Sequence, residues 1–371
     1  MAIPVLTAGF GEGHNAAARS VAEALARLDS GGGHTSPCDL FEEAYGPEDF
    51  ARQRRFYLAL ANRTPWLWAG VYHALDRLPL VELSLPLLRR VARRLDAVLA
   101  TGPRVIVSTY PLYPYLLARR FRPNDPQRPF LITIVTDSLS VNRVWHGAPS
   151  DCWIAPNEPT AAVLRRQGVP AAQVRALGFP VNARLRLPAI SRDSRPRVLL
   201  MLNPGRRDAV ALARAVAACD VELTITVGKD ATFRAAVEGA IGTRATVVGW
   251  TERLPELMLA HDLILTKAGG ATTHEAVAAN IPLVFTQVIP GQEAGNARLV
   301  VEAGGGALGL SPGSAAAAVR QAFADDRLVW RRWKLALTSL GDPLGADRVA
   351  TLALAEDQAR RASNSTILAA S

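Results

Sequence analysis

The sequence predicts an α/β protein built on parallel sheets, and three observations carry that prediction. Apolar, β-branched runs recur along the 371 residues without polar alternation, as strands covered on both faces require. Segments with apolar residues at helical spacing separate these runs. Twice, at residues 3–14 and 198–207, a run empties into a glycine-bearing turn followed by a helical pattern, which is how a doubly wound unit begins.

Strands are expected at 3–7, 105–108, 130–136, 151–155, 198–202, 223–227, 246–248, 263–266 and 283–286. Helices are expected at 14–28, 158–167, 208–218, 253–260 and 272–279. The stretch 188–196 is polar and bracketed by Pro188 and Pro196, so it reads as a linker. The chain then divides into an N-terminal domain over 1–185, a C-terminal domain over 186–340, and a C-terminal helix over 341–371. That helix is expected to pack back toward the first domain and to fray from Ala362. Domains of this type bind ligands outside the carboxyl ends of their strands, which would line a cleft between the two.

Residues 50–100 interrupt the alternation. Phe56, Tyr57, Trp66, Trp68, Tyr72 and Leu75 crowd together there. The following segment sets Arg89, Arg90, Arg93 and Arg94 on one helical stripe, and Leu87, Leu88, Val91 and Leu95 on another. Such a helix either lies on an anionic membrane or packs its apolar side on the sheet. The aromatic cluster is open to the same two readings, lipid contact or burial.

The net charge is +9, almost all from arginine, and residues 1–185 hold 21 arginines against 15 acids. A phosphate-bearing ligand or an anionic membrane suits that excess, as does an arginine-rich genome with no special partner. Cys38, Cys152 and Cys219 stand far apart with no metal spacing, which fits free thiols in a reducing compartment. No signal peptide is evident and no apolar run approaches the roughly 20 residues of a spanning helix. The expected location is therefore cytoplasmic, peripheral at the inner face of the membrane.

Chemistry concentrates between Gly249 and Asn296. The run 263–279 reads as a buried strand, a Gly269-Gly270 turn and a helix opening near Thr272 or Thr273. Free backbone amides at such a turn suit a phosphate. Glu275 would then be a capping-box acid or a carboxylate that accepts hydrogen bonds from a ribose diol. Gln292 and Glu293, in the loop after the next strand, suit sugar hydroxyls, and Trp250 beside Gly249 suits a base pocket or simple packing.

Taken together these segments resemble the monogalactosyldiacylglycerol synthase family and, more distantly, the peptidoglycan-precursor N-acetylglucosaminyltransferase. The matching residues are Gly249–Met258, Leu265–Gly269, Thr273–Ala276 and Pro290–Asn296 in the second half. In the first half they are Gly11–His14, Phe56–Asp76, Val107–Thr109 with Pro111, Val135–Asp137 and Gly178–Val181. The resemblance implies a GT-B fold, two facing Rossmann-like domains with an interdomain cleft. It implies transfer of a hexose from a UDP-sugar to a diacylglycerol-like lipid acceptor, with inversion.

By that resemblance Gly249 and Trp250 contact uracil. Gly269, Gly270 and Thr272, aided by Thr273, hold the diphosphate, Glu275 the ribose, and Gln292 and Glu293 the donor sugar. His14, after Gly13, is the base, with Asp137 as second candidate or as the group that orients His14. The chain lacks any Asp-x-Asp and any His/carboxylate cluster with metal spacing, so no metal and no cofactor beyond the donor are expected, and no nucleic acid. The loop 203–207 departs from the family's glycine-rich form, which points to Gly205 and Arg206 or Arg207 at the diphosphate. Tyr110 and His274 also stand where relatives carry other residues, His274 as a donor contact or a surface residue. The competing readings are a glycosyltransferase with a soluble or another lipid acceptor, a UDP-sugar 2-epimerase on the same architecture, and a basic binding protein for nucleic acid or membrane.

Overall fold

The computed structural model describes residues 2–29, 36–122, 125–186, 195–291 and 293–370. The chain forms two compact units, one of Met1–Asn182 with Leu344–Ser371 and the other of Ala183–Pro343. Both boundaries fall three residues away from those expected at 185 and 340. The turn Ala183–Arg186 goes with the second unit because Arg184 pairs with Glu256 at 3.2 Å and Arg186 Nε donates to the Pro343 carbonyl at 3.2 Å. Most of the expected linker, residues 188–194, lies outside the described residues.

The first unit is a six-stranded parallel sheet of β1 (Val5–Thr7), β2 (Pro37–Asp39), β3 (Val105–Ser108), β4 (Phe130–Ile134), β5 (Cys152–Ala155) and β6 (Val174–Ala176). Its order is β2-β1-β3-β4-β5-β6. Successive strand residues face opposite sides. Val5, Val105, Val107, Ile132 and Ile154 therefore pack on the helix Glu12–Leu28 and on the C-terminal helix Gly345–Ala370, through Val21, Leu25, Val349 and Ala353. Leu6, Ile106 and Leu131 face the other way, onto Leu40, Phe41, Val91, Leu95 and Tyr113. Arg104 anchors the C-terminal helix through Asp357 at 2.8 Å. The backbone stays helical to Ala370, beyond the Ala362 where fraying is expected.

The second unit repeats the plan with β7 (Arg197–Met201), β8 (Glu222–Thr226), β9 (Thr246–Val248), β10 (Leu263–Lys267), β11 (Leu283–Gln287) and β12 (Gly306–Leu308), in the order β12-β11-β10-β7-β8-β9. In each unit the direction in which successive strands are added reverses once, between β1 and β3 in the first and between β7 and β10 in the second. At such a switch point the loops diverge and leave a crevice at the carboxyl ends of the strands.

The segment 40–100 is a run of helices against the first sheet. Val91, Ala92 and Leu95 are buried while Arg89, Arg90, Arg93 and Arg94 are exposed, so the basic helix Arg89–Ala100 packs on the core. The aromatic cluster divides. Trp68 is buried, whereas Phe56 is 73% and Trp66 74% exposed, with Leu83 and Leu87 also outside. No helix among the described residues is long and apolar enough to cross a membrane.

Candidate active site

At the first switch point β1 runs into the Gly9–Gly13 loop. Thr7 Oγ1 donates to Asn15 Oδ1 at 2.9 Å, and the Gly9 amide donates to Asp39 Oδ2 at 2.7 Å. Asp39 Oδ1 also caps the next helix at the Phe41 and Glu42 amides, so one carboxylate from β2 fixes the loop. The helix Glu12–Leu28 starts at Gly11 without a side-chain cap, placing Gly13 and His14 in its first turn.

His14 Nδ1 lies 2.8 Å from the Thr109 carbonyl oxygen and 3.2 Å from Thr136 Oγ1. A carbonyl only accepts, so Nδ1 carries the proton and the neutral ring keeps its lone pair on Nε2. Burial lowers the His14 pKa to about 4, against the opposing effect of the Thr109 carbonyl. The ring at neutral pH is therefore an uncharged base. Tyr110 meets it edge-on at 5.1 Å and Trp145 lies 5.8 Å away. Phe10 extends the wall, in ring contact with Phe41, Phe50, Tyr57 and Tyr110.

Asp137 makes no hydrogen bond to this ring. Its Oδ2 accepts from the Trp145 indole at 2.8 Å, and the partners at His14 Nδ1 are Thr109 and Thr136. Burial raises Asp137 to about 6, partly offset by the Trp145 hydrogen bond.

At the second switch point β10 ends in a tight turn, with the Gly269 amide on the Lys267 carbonyl at 2.8 Å. The helix is Gly270–Ala278, starting two residues earlier than expected. Its cap, Gly269, has no side chain to offer, and the first helical bond is Thr273 N to Gly269 O at 3.0 Å. The amides of Gly270, Ala271 and Thr272 thus have no helical acceptor. Glu275 sits in the second turn, which removes the capping-box reading. It shares a face with Ala271 and Thr272, and helical side chains lean toward the N-terminus. Glu275 is half-buried. Thr273 Oγ1 is buried without a hydrogen-bond partner.

Glu293 is 5% exposed. It is held by Lys267 Nζ at 2.8 Å on Oε1 and by the Ile289 amide at 3.0 Å on Oε2. Asn296 Nδ2 donates to the Ala268 carbonyl at 3.0 Å, tying the same loop to the turn after β10. Gln292 lies outside the described residues. Trp250 is 57% exposed and carries Lys229 Nζ 4.5 Å from its ring centroid. Gly249 has room for a Cβ, with the nearest atom, Arg234 Nη1, 3.5 Å away.

Two residues stand otherwise than expected. The Arg206 guanidinium, expected at the diphosphate, is engaged within the protein. It grips Asp208 at 2.5 and 2.9 Å and donates to the Thr286 and Leu310 carbonyls, bracing the loop to the ends of β11 and β12. Gly205 is exposed in a turn whose amide meets Asn203 Oδ1 at 3.2 Å, with Arg207 exposed beside it. His274 is neither at the surface nor open to a ligand. It is buried, and burial lowers its pKa to about 3.

Sequence reasoning missed Asn15, Asp39, Thr136 and Trp145, which shape the His14 site. A further cavity of about 600 Å³, lined by Leu99, Arg104, Phe121, Arg128 and Arg360, lies at the amino ends of β3 and β4, away from these residues. No group of three metal-ligating side chains occurs among the described residues.

Comparison with known proteins agrees with this geometry. Residues 14–181 match the family model described as monogalactosyldiacylglycerol (MGDG) synthase. A probable monogalactosyldiacylglycerol synthase 2 of Oryza sativa subsp. indica is 25% identical, over 91% of this chain and 77% of its own. A processive diacylglycerol β-glucosyltransferase of Bacillus cereus (strain AH820) is 23% identical, over 95% of this chain and 93% of its own. Among solved structures, MnaA of S. aureus with UDP superposes with a TM-score of 0.61 at 14% identity, over 94% and 95% of the two chains. Two doubly wound units in one chain and these relatives define the class, a glycosyltransferase of GT-B fold. More particularly, its relatives are the monogalactosyldiacylglycerol synthases and the processive diacylglycerol glucosyltransferases, as the motifs imply.

Proposed function

We propose that the chain moves a hexose from a UDP-sugar to a diacylglycerol-like lipid, with inversion, without a metal, at the surface of a membrane. The observation that carries this reading is the uncapped turn Gly269–Thr272 at the switch point of the second unit, with Glu275 one turn along. Three free amides offer the diphosphate its hydrogen bonds, and a carboxylate on the same face offers the ribose diol an acceptor. Gly249 and Trp250 take the uracil, and Glu293 the sugar.

The acceptor binds on the first unit. His14 Nε2 accepts the proton of the attacking hydroxyl, and the Thr109 carbonyl steadies the imidazolium that forms. Phe10, Tyr57 and Tyr110 give the acceptor an apolar wall. Phe56, Trp66, Leu83 and Leu87, all exposed in the same helical segment as four exposed arginines, supply the peripheral membrane contact, at the inner, cytoplasmic face.

A donor–acceptor screen tests the reading. The protein would receive UDP-glucose, UDP-galactose or UDP-N-acetylglucosamine with a lipid extract, and products would be resolved by mass. A new glycolipid of inverted anomeric configuration, unaffected by a chelator, is expected. Release of UDP and an epimerised sugar without acceptor would replace this reading by an epimerase. For the donor site alone, Glu275→Ala should weaken UDP binding in calorimetry, and unchanged affinity would remove Glu275 from it.

A further inference from the structure

The strand β10 ends on a lysine, and three features single out its ammonium group. The pairing of β10 with β11 shifts register between Thr266 and Lys267, leaving Thr286 over on the partner strand. The irregularity lies beside Lys267. Nζ then reaches Glu293, whose side chain is shut in while the lysine side chain remains two-fifths exposed. Finally, the pair lies against the residue that opens the helix. A Cβ built on Gly269 would stand 3.7 Å from Lys267 Nζ and 3.8 Å from Glu293 Oε1. A cation thus faces outward at the mouth of a turn whose amides already favour an anion.

We propose that Lys267 binds the diphosphate of the donor and, through its ion pair, fixes the carboxylate that meets the sugar. The proposal rests on the reading of the second unit as a UDP-sugar site. An ammonium has three donors. One is on Glu293, and the others are available to phosphate oxygens. Other basic groups near the turn are less suited. Arg206 is spent on Asp208 and two carbonyls, and Lys229 stands over Trp250.

The chemistry gives this cation a task. When the sugar C1–O bond to the phosphate breaks, its electron pair stays on the diphosphate oxygen, a new C1–O bond forms to the acceptor, and the acceptor proton passes to His14. UDP leaves with one more negative charge than it had as an ester. A fixed ammonium stabilises that developing charge more than the ground state, which is the condition for lowering the barrier. Because the same ammonium holds Glu293, displacement of the leaving group is coupled to the contact with the sugar.

Calorimetry with UDP and with uridine, on the full chain, tests this. Lys267→Met should lower UDP affinity about tenfold to a hundredfold, the value of a hydrogen bond between charged groups, and leave uridine affinity unchanged. Lys267→Arg should restore most of it. Turnover by Lys267→Met should fall through kcat and recover in part with added ethylammonium, which a merely structural role would not allow. Because removing the lysine strands a buried carboxylate, the double variant Lys267→Met/Glu293→Gln is the control for folding, and it should show the same loss of UDP affinity. If the wild-type protein binds UDP and Lys267→Met binds it equally, Lys267 is not the diphosphate cation. An equal loss of uridine and UDP affinity would overturn it too, as a general collapse of the site. If the wild-type protein binds no UDP, the donor-site reading itself fails.

Discussion

His14 Nδ1 points at the carbonyl oxygen of Thr109, 2.8 Å away, so a backbone atom rather than a carboxylate sets the tautomer of the base. No side-chain substitution at Thr109 removes that oxygen, and the orientation is therefore a property of the sheet. β3 ends at Ser108, and the next carbonyl along lies over the start of the helix that carries His14.

Removing the ring is the direct test. His14→Gln should leave UDP affinity within about twofold and lower turnover by about 10²–10⁴, the usual share of a general base. Asp137→Asn should cost less, since the partner of Asp137 is the Trp145 indole. Single-turnover assays with saturating donor separate the two. A His14→Gln protein with wild-type turnover would remove histidine from the chemistry.

Arg206 yields the opposite expectation. Its guanidinium ties Asp208 to the Thr286 and Leu310 carbonyls, and through it the Asp208 pKa falls below the ordinary carboxylate range. Arg206→Ala should destabilise the second unit by about 1–3 kcal/mol, the cost of unmet hydrogen bonds at a charged group, and lower Tm by a few degrees. UDP affinity should change little at a temperature where the variant is folded. Unchanged Tm together with a large loss of UDP affinity would make Arg206 a ligand after all.

These two residues show what a sequence carries and what it does not. The α/β class was legible because buried parallel strands are continuous apolar runs, as Leu263–Lys267 and Leu283–Gln287 are. The edges β2, β6 and β12 were not. Three residues such as Pro37-Cys38-Asp39 have no period, and they become strand only by pairing with a neighbour. With β2 unseen, Asp39 could not be placed beneath the Gly9 amide. The turn at Gly269 and the helix after it were legible because glycine and a helix start are local signals. The use of Arg206 was not, because its acceptors stand 80 and 104 residues away. A charge near a loop looks the same in sequence whether it faces a ligand or a carbonyl.

Stability should depend on pH through the buried histidines. Burial lowers His14 to about 4 and His274 to about 3, and shifts His146 and His261 the same way. In the unfolded chain these rings titrate near about 6.5. Between the folded and unfolded values the unfolded chain binds more protons, so stability rises with pH and is lost as pH falls from about 6.5 toward 4. Asp137, raised to about 6, acts in the other direction, because the folded state then binds its proton more tightly than the unfolded state. Tm measured from pH 8 to pH 4.5 should fall below pH 6.5, less steeply in His274→Gln and more steeply in Asp137→Asn. A flat profile for both the wild type and His274→Gln would contradict this origin.

The outward face of the helical segment 40–100 supports a last prediction. Phe56 at 73%, Trp66 at 74% and Leu87 at 79% exposure leave large apolar side chains in water, and Leu87 leads directly into the helix that exposes Arg89, Arg90, Arg93 and Arg94. Their inward neighbours, Trp68 and Val91, complete the core, so the outer set can be changed without opening it. Transfer of such side chains out of water is worth about 1.5–3 kcal/mol each, and each basic residue near an anionic surface about 1 kcal/mol more. Cosedimentation with vesicles of anionic phospholipid should therefore be strong at low salt and weaken as salt rises. The triple variant Phe56→Ser/Trp66→Ser/Leu87→Ser should lose affinity at every salt concentration. Reversal of Arg89, Arg90, Arg93 and Arg94 to Glu should instead abolish the difference between anionic and neutral vesicles. Each variant should keep wild-type UDP affinity, because the donor residues lie in the other unit. Equal sedimentation of the wild type and both variants would show that this face does not meet the membrane.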